Sequence, residues 1–210
     1  GSRDKAKGDA AAAHLKERGF DVEAFQFDVD SPADHQKIAD YIAKQYGHLD
    51  ILINNAGIML DNQTMLTSTT APDLLRKTFD TNFFQLVALT QTLLPLIRKA
   101  PAGRIVNLSS LLGSLTAHSD PHSPIYNMKV FAYDASKTAL NAFTVHLAHE
   151  LRHTKIKVNS AHPGWVKTDM GGSAAPMEVK DGSKTSLELA LLPENGPSGG
   201  FFHRGETLPW

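Results

Sequence analysis

The 210-residue chain contains no cysteine. That excludes disulfides, thiolate zinc sites and a cysteine nucleophile. It also lacks an excess of either charge, with 21 Lys+Arg against 22 Asp+Glu and a net charge of -1. So balanced a chain is a poor candidate for wrapping nucleic acid or coating an anionic membrane. No apolar run reaches the roughly 18 residues of a membrane span. The opening GSRDKAKGDAAAAHLKERG has no apolar signal-peptide core. Internal repeats, low-complexity tracts and linker-like segments are missing as well. These absences predict a cytoplasmic, soluble protein of one domain over 1–210, with no nucleic-acid or membrane partner. The remaining composition is ordinary globular, 41% hydrophobic and 20% charged, enough to bury a core.

Helix-like and strand-like segments alternate. Residues 4–18 are rich in Ala, Lys and Glu, with Asp4 placed to cap and Gly19 placed to stop a helix. Val22–Phe27 reads as a strand. Ser31-Pro32 opens a second helix carrying Ile38, Tyr41, Ile42 and Tyr46 at helical spacing. Leu49–Ile53 reads as a strand, followed by Asn54-Asn55-Ala56-Gly57. Residues 71–99 form one long amphipathic stretch. Arg104–Leu108 is a strand running into Ser109-Ser110. Residues 111–128, rich in Ser, His, Pro and Gly, read as a loop, and 129–152 as a helix. Ile156–Ala161 is a strand before His162-Pro163-Gly164, and residues 199–202 fit a last short strand. Strands separated by helices imply βαβ units and a parallel sheet. The class is therefore α/β, a doubly wound Rossmann-type sheet. Ligands of such sheets lie beyond the carboxyl ends of the strands. Asp28-Val29, Asn54–Gly57, Ser109-Ser110 and Pro163–Thr168 fall there.

The sharpest local signal is Tyr133-Asp-Ala-Ser-Lys137. Positions i and i+4 share a helix face. A phenol with a pKa near 10 is a weak acid at neutral pH, and a nearby ammonium favours its ionisation. Alone, such a pair is more often a packed Tyr beside a lysine stretching to water. Ser109-Ser110 adds a hydroxyl at a strand end, and Asn82 a polar residue inside an apolar helix. Asn55, Ala56 and Gly57 add amides and a close backbone approach.

Taken together and in this order, NNAG at 54–57, FDTNFF at 79–84, GRIVNLSS at 103–110, YDASK at 133–137 and PGWVKTDM at 163–170 resemble the short-chain dehydrogenase/reductase family. The likeness runs the length of the chain. GSRDKAKG, LLPLI at 93–97 and LALLPENGPSG at 189–199 bring it nearest to the NADPH-dependent carbonyl reductases. The resemblance implies an NADP-dependent reduction of a small-molecule aldehyde or ketone to an alcohol. It makes Tyr133 the general acid, with Lys137 lowering its pKa and holding the nicotinamide ribose. Ser110, rather than Ser109, polarises the carbonyl, and Asn82 helps anchor a proton-relay water. Asp28 flanks the adenine, Asn55 touches the cofactor, and Val166 and Thr168 hold the carboxamide. Val29, Ala56, Gly57 and Pro163 complete the cofactor-binding set. Arg3 falls where the family pairs an arginine with the NADP 2′-phosphate, for which a guanidinium suits.

Two departures stand out. No glycine-rich turn of the kind that receives a pyrophosphate is present. The first strand, its glycine loop, the first helix and most of the second strand of the fold have no counterpart, so a fragment of a longer reductase is expected. The 23 positions from Ser110 to Tyr133 mark an insertion like that of the monomeric carbonyl reductases, which implies a monomer. Met59, the 111–128 loop, Trp165 and 171–178 are candidates for an apolar pocket wall. Two other readings compete. One is a cofactor-deficient remnant acting as a binding protein. The other is a zinc peptidase through His149-Glu150-x-x-His153, although no third ligand follows at a suitable spacing and no metal is expected.

Overall fold

The computed structural model describes residues 1–210. Its sheet has five strands in the order β1 (Ile51–Asn54), β2 (Arg104–Leu108), β3 (Lys157–Ala161), β4 (Phe201–His203) and β5 (Glu206–Thr207). All neighbours are parallel except β4 and β5, which form an antiparallel pair. The helices are α1 (Lys5–Glu17), α2 (Pro32–Gln45), α3 (Pro72–Phe79), α4 (Gln85–Ile97), α5 (Leu115–Ser119), α6 (Phe131–Glu150), α7 (Val179–Gly182) and α8 (Lys184–Ala190). This is the parallel, doubly wound α/β architecture that alternating patterns dictate.

Local chemistry explains the boundaries. Asp4 accepts from the Lys7 amide and caps α1, while Ser31 caps α2 ahead of Pro32. Gly19 takes φ +85° just past α1, a left-handed stop that a Cβ would resist. The main core joins α2, α4 and α6 to the sheet through buried Leu93, Ile97, Ile105, Leu147, Leu151 and Val158. A smaller cluster, Val106, Ala161, Leu189 and Ala190, packs α8 on the opposite face.

Three expectations are corrected. Val22–Phe27 is not a strand. It makes only one parallel bridge, Ser2 to Gln26, with two backbone hydrogen bonds at 3.0 and 2.9 Å. A strand needs a ladder of partners, and one bridge supplies none beyond itself. On the other side of that gap β1 pairs only with β2, so Ile51 and Ile53 are exposed along an open edge. A cavity of about 530 Å3 lies between the two, walled by Arg3, Phe27, Val29, Ile38, Ile42 and β1. Second, residues 71–99 are not one regular helix. Asp80–Phe84 forms a π-helical turn between α3 and α4, of the kind often found at functional sites. Third, the 111–128 loop contains a 3-10 turn (Leu111–Gly113) and α5.

That 3-10 turn packs hard on α6. A Cβ on Gly113 would lie 2.9 Å from both the carbonyl carbon and the Cβ of Lys137. Backbone cannot yield as a side-chain tip can, and overpacking costs about 1–3 kcal/mol. Gly113→Ala is therefore expected to lower the melting temperature measurably. Leu115→Ala, two residues on and well exposed, should stay within about 0.5 kcal/mol.

Candidate active site

The carboxyl ends of β1, β2 and β3 open onto a cavity of about 790 Å3. Eight of the sequence-derived candidates line it: Asn55, Gly57, Ser110, Tyr133, Lys137, Pro163, Val166 and Thr168. Met59 and Trp165, expected in an apolar wall, line it too. Arg3, Val29 and Ala56 line the neighbouring cavity of about 530 Å3, and Asn55 and Gly57 border both. Two candidates line neither. Asp28 sits at the entry to α2, its Oδ1 taken by the Asp30 amide at 3.0 Å. Asn82 is fully buried in the π-helical turn. Its Oδ1 accepts from the Ile58 amide at 2.7 Å, and its Nδ2 donates to Ile58 O at 2.8 Å and Ser136 Oγ at 3.0 Å. Asn82 thus pins the segment after Gly57 to the Tyr133 helix.

The first turn of α6 places the phenol and its second turn the amine. Lys137 is nearly inaccessible, and its Nζ donates to Leu108 O at 2.8 Å. The ammonium lies 5.6 Å from the centre of the Tyr133 ring, over the face of the ring. Burial pushes Lys137 down to about 8. Burial also pushes Tyr133 up to about 12, against a smaller downward pull from the Ser110 hydroxyl and with a further push from the Asp134 charge. Burial is the leading cause of the shift at both groups. The ammonium spends one donor on the Leu108 carbonyl and lies over the ring. The consequence is a phenol that keeps its proton at neutral pH beside an amine that is mostly charged.

Three residues at the site, His162, Asp61 and Asp134, escaped the sequence reading, and Ser109 was passed over in favour of Ser110. Ser109 lines the cavity with a buried hydroxyl that meets no partner. His162 accepts from the Leu111 amide through Nδ1 at 3.2 Å. Burial and the neighbouring His203 push it down to about 4, so it is a neutral acceptor holding the turn after Ser110. Asp61 and Asp134 flank the start of α6. The partners of His162 and Asp61 are remote in the chain, and for Asp134 it is burial, not its local bond to Val130, that sets it apart from a surface carboxylate. Gly164 is fixed by geometry, with φ +90° and a would-be Cβ only 2.2 Å from Met177 Sδ.

The zinc-peptidase pattern dissolves. Helix α6 ends at Glu150, so His153 leaves the helical face that His149 occupies. Glu150 pairs with Arg98 at 2.9 Å. No three His, Asp or Glu side chains gather as a metal would need.

A nicotinamide dinucleotide suits the side chains present. The buried Lys137 ammonium has three donors and spends one inside the protein, leaving donors at the cavity wall for ribose hydroxyls. Arg3 makes no ion pair or hydrogen bond within the chain and borders the second cavity, where a phosphate would meet it.

The sequence profile described as short chain dehydrogenase matches residues 1–179. "Carbonyl reductase [NADPH] 1" of Mus musculus is 31% identical over all of this chain and 87% of its own length. "Carbonyl reductase [NADPH] 3" of the same species is 30% identical over 91% of this chain and 80% of its own. Among solved structures, the carbonyl reductase Sniffer of D. melanogaster superposes with a TM-score of 0.83 at 30% identity, covering all of this chain and 85% of that one. An NADPH-bound carbonyl reductase from chicken fatty liver gives 0.82 at 27% identity, covering 96% and 82%. With the sheet, the Ser–Tyr–Lys cavity and these likenesses in agreement, the chain belongs to the short-chain dehydrogenase family.

Proposed function

We propose that the protein reduces the carbonyl of a small aldehyde or ketone to an alcohol with NADPH. One observation carries this reading: Ser110, Tyr133 and Lys137 line one cavity, with a protonated phenol between a hydroxyl and a buried amine. The likeness to carbonyl reductases named for NADPH supports it. When bound, the cofactor supplies a hydride.

The chain's own residues do the rest. Ser110 donates a hydrogen bond to the carbonyl oxygen and polarises it. Tyr133 gives its phenolic proton to that oxygen as negative charge develops there. Lys137 holds the ribose hydroxyls and keeps positive charge beside the phenolate left behind. Asn82, linked to the helix through Ser136, anchors the water that returns a proton. Val166 and Thr168 would hold the carboxamide, Asn55, Ala56, Gly57, Val29 and Pro163 would line the cofactor's path, and Asp28 would flank the adenine. Arg3 pairs with the 2′-phosphate.

Substrate class follows from the wall. Met59, Leu112, Trp165, Met170, Val179 and Leu187 surround the reacting groups, and Lys137 is the cavity's one charged side chain. Uncharged, largely apolar carbonyl compounds match such a wall, while a carboxylate would find no second cation. The excursion between Ser110 and Tyr133 packs on α6, in keeping with a monomer, and light scattering on the purified chain should give one copy.

NADPH oxidation with an aromatic ketone or quinone tests the reading. Tyr133→Phe is expected to lower turnover by about 10²–10⁴-fold while NADPH still binds, measured by nicotinamide absorbance and fluorescence titration. Turnover undiminished in that variant would remove Tyr133 from the reaction. The rate should fall as pH rises through about 8, where Lys137 gives up its proton, since Tyr133 retains its own to about 12. Arg3→Asp should weaken NADPH by about 10–100-fold and NADH much less, and an unchanged preference would refute the phosphate contact.

A further inference from the structure

The first turn of α6 is held by two carboxylates that the reaction above does not use. The residue preceding the helix is Val130, whose side chain cannot cap. Asp61, 71 positions before Ala132, does so instead. Its Oδ2 accepts from the Ala132 amide at 2.6 Å and the Tyr133 amide at 3.4 Å. Asp134 reaches back within the turn, and its Oδ2 accepts from the Val130 amide at 3.0 Å. Both side chains are buried, and Oδ1 of each meets no protein donor. Two such oxygens at one helix turn are costly when both groups are charged, and a single proton relieves the conflict.

The surroundings do not supply a counter-ion. His118 of α5 places Nε2 2.9 Å from Leu112 O and 3.3 Å from Asp134 Oδ2. Its Nδ1 accepts from the Lys129 ammonium at 3.1 Å, which leaves the one proton of a neutral ring on Nε2. Burial, together with the Lys129 charge, holds His118 below its ordinary value. His118 is therefore a neutral donor. Lys129 is the one cation acting on Asp134, and its effect is smaller than that of burial and of Asp61.

We propose that Asp61 and Asp134 are positioning residues for the first turn of α6, with a proton held on Asp134, and so set the placement and acidity of Tyr133. Asp61 ties that helix to the segment following Gly57, and Asp134 ties it to the 111–130 excursion through His118. The role at Tyr133 rests on the carbonyl-reductase reading, whereas the proton on Asp134 does not. Burial, with the Asp61 charge adding to it, pushes Asp134 up to about 7. An ionised Asp134 in turn makes the Tyr133 phenol harder to ionise. Because the folded value is raised, the folded form binds this proton more tightly than the unfolded chain does. The clamp is firmest on the acid side and loosens as pH rises through about 7.

Carboxyl-carbon NMR of the aspartate-labelled chain tests this directly. One aspartate is expected to titrate near neutrality, to vanish in Asp134→Asn, and to move to lower pH in Asp61→Asn because the repelling charge is gone. Amide exchange at Ala132 and Tyr133, corrected for the intrinsic rate, should speed up across the same step. In the reductase assay kcat should show that step with KM unchanged. No aspartate titrating between about pH 6 and 8, or a midpoint unmoved by Asp61→Asn, overturns the proposal. If the Asp134 variant fails to fold, the wild-type titration and the Asp61 variant still decide. Turnover without the step overturns the pair. The step without turnover upholds the pair and removes only the reductase reading.

Discussion

The placement of one amine, that of Lys137, governs the site. An ammonium taken fully out of water costs several kcal/mol unless it finds partners. Leu108 O provides one, and it can do so only while α6 stays in register with the end of β2. Register is enforced by close approach: Gly113 leaves no room for a side chain between the 3-10 turn and Lys137. The same approach that buries the amine removes the phenol from water. The two pKa shifts are thus one effect seen at two groups, and they pull in opposite directions because one acid is cationic and the other neutral.

Beneath the site a chain of buried polar side chains ties the layers together. Asn54 donates to Thr90 Oγ1 and Asn107 Oδ1, Asn107 donates to Thr144 Oγ1, and Ser160 donates to the same hydroxyl. Three strands and two helices are joined by bonds of 2.8–2.9 Å. In apolar packing a helix can slide by small increments, but these paired donors fix one arrangement and penalise its neighbours, with only Asn54 Oδ1 left without a protein donor. That rigidity suits a cavity whose polar residues Ser110, Tyr133 and Lys137 come from just past β2 and from α6.

How much of this was legible in the sequence follows from the range of the forces involved. β2 appears with the bounds read for it, and α1 and α2 start where their caps stand, because caps and periodicity act within one turn. That Ser110, Tyr133 and Lys137 share a cavity was legible because two of them are spaced locally on one helix and the third follows a strand. The strand expected at Val22–Phe27 failed for lack of neighbours, which no window of residues contains. The π-helical turn was invisible because one extra residue per turn leaves the apolar stripe nearly intact. Spacing likewise gave the proximity of Lys137 to Tyr133 but not the burial of either, which is set by packing from remote segments. Asp61 went unnoticed because its partners lie 71 positions on.

The cavity's ionisable groups and its walls divide the work. Near neutral pH, Tyr133 is a neutral donor and Lys137 largely a cation, and Ser110 donates without ionising. All three line the one cavity and none offers negative charge there. In the proposed reaction that cavity is where an alkoxide oxygen gathers charge, and donors fixed in advance stabilise it without reorganising. The remaining wall, from Met59 to Leu187, adds area rather than charge. Binding through apolar area discriminates among uncharged molecules by only about 1–3 kcal/mol per methylene. A site built this way selects the reaction sharply and the substrate loosely, since the groups that fix the chemistry are buried and bonded while those that meet the substrate's body are not.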